Sequence, residues 1–98
     1  RVAWFGHLGD GNLHYNVLPA PGASGAELVA RQDVLNRVVH DEVAALHGSI
    51  SAEHGLGQLR ATENARYKSA VELALMRGVK AALDPHGLMN PGKVFATP

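Results

Sequence analysis

The sequence has 98 residues, 46% of them hydrophobic, with nine basic and nine acidic side chains that cancel. This length suits one small domain, near the lower limit for an adequate hydrophobic core. The balanced charge, without runs of one sign, gives no indication of nucleic acid or an anionic membrane surface as a partner. The lack of cysteine excludes disulfide scaffolds and fits a reducing compartment, so we expect a cytoplasmic location. No apolar stretch is long enough to predict a membrane span.

The first residue is Arg1 rather than Met, and the sequence opens directly into an apolar, strand-like segment. We therefore expect residues 1–98 to be part of a longer protein.

The N-terminal segment predicts a β-hairpin. Residues 2–6 and 13–18 carry β-branched and aromatic side chains, and a Gly-Asp-Gly run lies between them. Glycine weakens helices, and aspartate and asparagine favour turns. The turn would return the second strand beside the first and bring His7 close to His14.

A helix is predicted to follow the proline- and glycine-rich loop at residues 19–25. Ser24 and Glu27 have the spacing of a capping box, and apolar residues repeat at helical spacing as far as His47. Gly48 is a suitable residue to end this helix. Residues 49–52 alternate polar and apolar side chains, which predicts a short strand leading into a glycine loop.

Residues 58–67 are predicted to be partly helical. A second capping box, Ser69 with Glu72, opens another helix, whose apolar residues repeat every four positions and which Pro85 ends. The apolar positions are Val71, Leu75, Val79 and Leu83. The order of elements predicts the α+β class, an antiparallel sheet with helices on one face. Three strands leave open edges, so we expect part of the sheet to lie outside this chain.

Two histidine-containing clusters are candidates for chemistry. His14 and Asn16 are two residues apart on a strand and therefore share a face, which His7 would approach across the hairpin. Glu53 and His54 come together where the third predicted strand enters the glycine loop. For each cluster the alternative is an ordinary polar surface, at a hairpin end or on a loop.

Together, His7, His14 and Glu53 offer two nitrogen ligands and one carboxylate, a set that suits a divalent transition metal with open positions for water or substrate. His54 would lie beside the metal as an unligated imidazole, and histidine can take up a proton near neutral pH. Spacing alone leaves open whether the two clusters meet. His40 and His47 are expected to be surface residues of the first helix, and His86 is assigned no role.

Three motifs resemble the C-terminal domain of FAD-linked oxidases, a family that includes glycolate oxidase, D-lactate dehydrogenase and D-2-hydroxyglutarate dehydrogenase enzymes. They are HLGDGNLH at residues 7–14, SAEHGLG at 51–57 and DPHGLMNPGK at 84–93. The resemblance covers the chain from end to end. It implies that residues 1–98 are a partial, ferredoxin-like cap domain, and that an FAD-binding domain lies upstream in the full enzyme.

The resemblance also implies roles for individual residues. His7, His14 and Glu53 would bind a divalent metal, often zinc in such enzymes, while Asn16 and His54 would contact the substrate. The implied reaction oxidises a 2-hydroxy acid to a 2-oxo acid, with His54 as the base that takes the hydroxyl proton. Asn90 and Lys93 would contact FAD, although a proline-glycine turn is an equal explanation of that motif.

The expected partners are the substrate, the upstream FAD domain, an electron acceptor that the sequence does not identify and a second copy of the chain in a homo-oligomer. Two other hypotheses stand beside the enzyme. One is a stand-alone module that binds a metal or a small acid without redox chemistry. The other is a structural domain in which the histidines are incidental and the open sheet edge pairs with another chain.

Overall fold

A β-hairpin forms the N-terminal part of the computed structural model, which describes residues 1–96. Strand β1 spans Val2–His7 and strand β2 spans Asn12–Val17. The two strands are antiparallel, with Val2 opposite Val17 and His7 opposite Asn12. The predicted hairpin is therefore confirmed, and its register places the histidine of β1 at the turn.

Four residues, 8–11, connect the two strands. The backbone N–H groups of Asp10 and Gly11 both donate to the carbonyl oxygen of His7, at 3.2 and 3.0 Å. Gly11 closes the turn in the left-handed region, with a φ of 67°, which glycine adopts without a steric penalty. The turn chemistry thus sets the pairing of His7 with Asn12.

Gly6 is needed where the two strands approach closely. A Cβ atom added there would overlap the carbonyl oxygen of Asn12 and crowd the Cα atom of Leu13. We expect Gly6→Ala to cost about 1–3 kcal/mol of stability, because backbone atoms must move to admit the methyl group. Urea unfolding of the full-length protein measures this. Gly9→Ala is the matched control, because an added Cβ meets no atom within 4 Å there; equal stability of the two variants would contradict the prediction.

Two helices replace the single first helix that the sequence predicts. Helix α1 spans Gly25–Ala30 and helix α2 spans Gln32–Ala45. Ser24 caps α1, but its hydroxyl accepts a hydrogen bond from the backbone N–H of Ala26 at 3.1 Å, and not from that of Glu27 as the capping-box spacing predicts. The N–H of Arg31 donates to the carbonyl oxygen of Leu28, a tighter i to i−3 bond that separates the two helices. The prediction of one continuous helix is therefore wrong at Arg31.

Helix α2 ends in a Schellman motif. His47 takes the left-handed conformation with a φ of 56°, and the N–H of Gly48 donates to the carbonyl oxygen of Val43 at 2.8 Å. The left-handed position therefore belongs to His47 and not to Gly48. His40 is buried, which corrects the expectation that it lies on the surface.

The strand predicted at residues 49–52 is absent from the described structure. The hydroxyl of Ser49 accepts from the backbone N–H of Ser51 at 3.2 Å and donates to the carbonyl oxygen of the same residue at 3.0 Å. Such local bonds give the backbone an alternative to a sheet. The segment is therefore irregular where it approaches Glu53, and the strand prediction is wrong.

Helix α3 spans Ala61–Tyr67 and helix α4 spans Ala70–Leu83, in agreement with the predicted positions. The capping box is formed: the Ser69 hydroxyl accepts from the N–H of Glu72, and the Glu72 carboxylate accepts from the N–H of Ser69. This backbone bond, with further bonds from the Ser69 hydroxyl and Lys68, lowers the pKa of Glu72 to about 2. Since the folded pKa is lowered, the stabilisation is present above the ordinary glutamate pKa and is lost as the pH falls towards 2.

The turn after α4 is held by Asp84, whose side chain is buried. Its carboxylate accepts from the ammonium of Lys80 and from the backbone N–H groups of Leu88 and Met89, each of the latter at 2.9 Å. The bond from Lys80 and the two backbone bonds lower the pKa of Asp84. Lys80 also donates to the carbonyl oxygen of Met89 at 2.6 Å. The segment leading to Asn90 is therefore tied to the end of α4.

The chain divides into two compact units, Arg1–Glu53 and a second unit that begins at His54. Residues 1–96 thus contain two strands and four helices, and the α+β class is confirmed. The predicted apolar stripe of α4 is largely exposed, with its four members between 61% and 75% accessible. No helix in the described part of the chain is long and apolar enough to cross a membrane.

Candidate metal centre

Three predicted ligands converge within the first unit. The Nδ1 atom of His7 lies 2.7 Å from the Oε1 atom of Glu53, and the Nε2 atom of His14 lies 2.9 Å from the same oxygen. All three ligand atoms lie within 4.8 Å of one another. The side chains of His14 and Glu53 are each 30% exposed, so the cluster is accessible from solvent. The structure therefore brings together residues that are up to 46 positions apart in the sequence.

The hairpin sets the direction of both imidazoles. His7 lies opposite Asn12, and His14 is two residues further along β2, so the three share one face of the sheet. Phe5 lies directly opposite His14, and their rings stack with centroids 4.6 Å apart and planes 8° from parallel. The ring of His7 meets that of His14 edge-on at 5.8 Å. Phe5 thus orients the imidazole of His14.

Asn12 contacts two of the three candidate ligands, a role the sequence analysis missed. Its Oδ1 atom accepts from the backbone N–H of His7 at 3.0 Å, which fixes the orientation of the amide. Its Nδ2 atom lies 3.2 Å from Nδ1 of His7 and donates to Oε1 of Glu53 at 3.4 Å. The signal was present in the motif, because a four-residue turn places Asn12 opposite His7.

We expect Asn12→Ala to weaken metal binding by about 10–100-fold, the usual effect of removing a group that orients metal ligands. Competition with a chromophoric zinc chelator measures the affinity. Asn16→Ala is the matched control, because Asn16 lies on the same strand face and no metal-ligand role is assigned to it. Equal affinities in the two variants would show that Asn12 does not support the ligands.

The donor set fits a divalent transition metal. Two imidazole nitrogens and one carboxylate oxygen are ligands that zinc accepts, and three protein ligands leave a position for water or substrate. The nitrogen–oxygen distances suit either an N–H···O hydrogen bond or a shared metal ion, because two lone pairs facing each other at this separation would repel. Metal binding at such a site competes with protons and weakens at low pH.

Four further predicted site residues lie on β2 or in the second unit. Asn16 lies on the strand face of His14 and pairs with Ala3 of β1. His54 directly follows Glu53 in the chain and is the first residue of the second unit. Asn90 and Lys93 also belong to the second unit. The cluster of close contacts therefore contains His7, His14 and Glu53, with Asn12 added.

Asn90 and Lys93 are the first and last residues of a turn. The N–H of Lys93 donates to the carbonyl oxygen of Asn90 at 3.3 Å, and Gly92 has the positive φ, 70°, that a type II turn requires after proline. The ammonium of Lys93 donates to Oε1 of Gln58 at 2.9 Å. The structural explanation of this motif, a proline-glycine turn, is present in the chain.

Comparison with known proteins finds several relatives named D-2-hydroxyglutarate dehydrogenase. The chain is 50% identical over 96 residues to D-2-hydroxyglutarate dehydrogenase of Xanthomonas citri, covering 98% of this chain and 20% of the relative. It is 44% identical over 96 residues to the mitochondrial D-2-hydroxyglutarate dehydrogenase of Arabidopsis thaliana, covering 97% of this chain and 16% of that protein. D-2-hydroxyglutarate–pyruvate transhydrogenase of Saccharomyces cerevisiae is 36% identical over 89 residues, which cover 91% of this chain and 17% of that protein.

The chain thus spans a fifth or less of the length of these relatives. The family model described as FAD linked oxidases, C-terminal domain, matches residues 1–94. This match includes the two strands and four helices of the described residues, together with every candidate site residue. The chain belongs to the C-terminal domain family of the FAD-linked oxidases.

Proposed function

We propose that this chain is the metal-binding part of an FAD-dependent enzyme that oxidises a 2-hydroxy acid to a 2-oxo acid. The convergence of His7, His14 and Glu53 on one point is the observation that carries the proposal. Family membership supports the link to FAD, and the names of the relatives make D-2-hydroxyglutarate the first substrate to test.

His7, His14 and Glu53 would hold the ion, which we propose to be zinc. When bound, the ion would supply Lewis acidity, which makes the hydroxyl proton of a bound 2-hydroxy acid easier to remove. Asn16 offers an amide that can donate to one substrate oxygen and accept from a hydroxyl. His54 takes the hydroxyl proton on its imidazole, so that the substrate can lose its C2 hydrogen with two electrons.

FAD, when bound, supplies the acceptor for that hydride. We propose that its binding domain lies in another part of the full-length enzyme, and that a separate electron acceptor takes the electrons onward. Asn90 and Lys93 are the residues of this chain that we propose to contact FAD. An ammonium has three N–H donors, so Lys93 retains donors for FAD while it bonds Gln58. A cytoplasmic location and a homo-oligomeric state stay predictions.

The test is anaerobic mixing of the full-length enzyme with candidate acids while the flavin absorbance is followed. We expect D-2-hydroxyglutarate, D-lactate or glycolate to bleach the flavin, and glutarate, which lacks the hydroxyl group, to leave it oxidised. Removal of the metal with a chelator should abolish bleaching, and zinc should restore it. An enzyme that binds zinc but is reduced by none of these acids would instead favour the binding module without redox activity.

A further inference from the structure

Asn64 in helix α3 is a buried polar residue that belongs to none of the three sequence motifs. Only 2% of it is exposed, and it is the largest fully buried side chain in the described part of the chain. Burying an amide is unfavourable unless it forms hydrogen bonds. Its Nδ2 group donates to the backbone carbonyl oxygen of Val94 at 3.0 Å. The bond joins residues that are 30 positions apart in the sequence.

Val94 is held in an unfavourable backbone conformation. Its φ is 67°, in the left-handed region that β-branched residues rarely adopt. Residues persist there only when their surroundings hold them, and such residues cluster at functional sites. Two bonds hold Val94: the bond from Asn64 to its carbonyl oxygen, and a bond from its own N–H to the carbonyl oxygen of Gly57 at 2.8 Å.

The second bond connects Val94 to the loop of the second sequence motif. Gly57 ends the segment that begins with Glu53 and His54, and it also has a left-handed φ, 58°. Next to it, Oε1 of Gln58 accepts from the ammonium of Lys93 at 2.9 Å. The loop after His54 is thus tied twice to the C-terminal turn, and Asn64 anchors that turn to α3.

We propose that Asn64 is a positioning residue, which holds the loop carrying His54 through Val94 and Gly57. The bonds from Asn64 to Val94 and from Val94 to Gly57 together form the Val94 tie. The inference rests on the proposed function for the role of His54, but the tie itself is independent of it. Loss of the amide donor leaves the carbonyl oxygen of Val94 without this partner and releases the strained backbone, so that His54 samples more orientations.

The test uses the full-length enzyme with FAD and metal bound, and compares Asn64→Leu and Asn64→Asp with wild type. Leucine keeps the volume but removes the donor, and aspartate keeps the shape but places an acceptor against a carbonyl oxygen. Ser69→Ala is the control, because it weakens the cap of α4 without touching the Val94 tie. The readouts are hydrogen exchange of the Val94 amide, and kcat and KM for the 2-hydroxy acid.

In both Asn64 variants we expect exchange of the Val94 amide to be about tenfold faster and kcat to be about tenfold lower. KM should stay within about twofold, because misplacing a base affects the reaction more than substrate binding. If the leucine variant fails to fold, the exchange rate and kcat of the aspartate variant test the proposal. The control should match wild type in both the exchange rate and kcat.

Unchanged Val94 exchange in a folded Asn64 variant would overturn the tie. Faster exchange with an unchanged kcat would overturn the positioning role. A full-rate His54→Ala enzyme would count against the proposed function, and the exchange measurement would still report on the tie, so the two failures are distinguishable.

Discussion

His54→Ala in the full-length enzyme is expected to slow flavin reduction by a 2-hydroxy acid by about 10²–10⁴-fold, the usual contribution of a general base. The metal content should be unchanged, because the variant keeps all three proposed ligands. Anaerobic stopped-flow absorbance measures the reduction rate, and elemental analysis measures zinc per enzyme. Reduction by dithionite should proceed normally, since that reaction requires no proton transfer from a substrate hydroxyl.

His86→Ala is the control for loss of an imidazole from the second unit, because His86 is exposed and no role is assigned to it. Its reduction rate should equal that of wild type. Full-rate reduction by His54→Ala would reject His54 as the base. A slow His54→Ala enzyme that had also lost its zinc would mean that the substitution acts through the neighbouring Glu53, and it would equally count against the assignment.

The hairpin was predictable because local chemistry determines it. Glycine and aspartate define the turn, and the strands on either side carry β-branched and aromatic residues, so His7 and His14 must approach each other. The capping box at Ser69 was also predictable, because its two partners are three residues apart and form their bonds without help from the rest of the fold.

Elements that depend on competing local bonds were not predictable. The alternating pattern at residues 49–52 is typical of a strand, but the hydroxyl of Ser49 forms hydrogen bonds with the backbone of Ser51. The apolar pattern of the first helix continues through Arg31, yet one i to i−3 bond separates α1 from α2. The spacing of hydrophobic residues reveals neither of these hydrogen-bonding effects, because neither involves burial of an apolar side chain.

The ligand-type residues of the candidate site can be recognised in the sequence, whereas the side chains that support them cannot. Imidazoles and a carboxylate are recognisable as ligand types, whereas Phe5 and Asn12 contribute only through their register positions in the hairpin. The contact between Asn64 and Val94 is still harder to predict. Their hydrogen bond joins segments 30 residues apart, and neither residue type is specific to a functional site. Long-range bonds of this kind require the structure.

His14→Ala is expected to weaken zinc binding by more than the roughly 10–100-fold that loss of a supporting residue costs, because it removes one of the three proposed ligands. His14 is well suited to this test. Its imidazole is stacked on Phe5 and is less exposed than that of His7, 30% against 56%, so it enters the site already oriented. Its removal leaves only His7 and Glu53, and two ligands hold zinc poorly.

Two measurements check this expectation. Competition with a zinc chelator gives the affinity, and the visible spectrum of the cobalt-substituted enzyme reports the change in coordination directly. Phe5→Leu is an informative companion, because it removes the stacked ring but keeps all three ligands, so its affinity should fall between those of wild type and His14→Ala. Unchanged zinc affinity in His14→Ala would remove His14 from the ligand set. The contact between His14 and Glu53 would then be a hydrogen bond that stabilises the end of the hairpin, which is the structural alternative for these histidines.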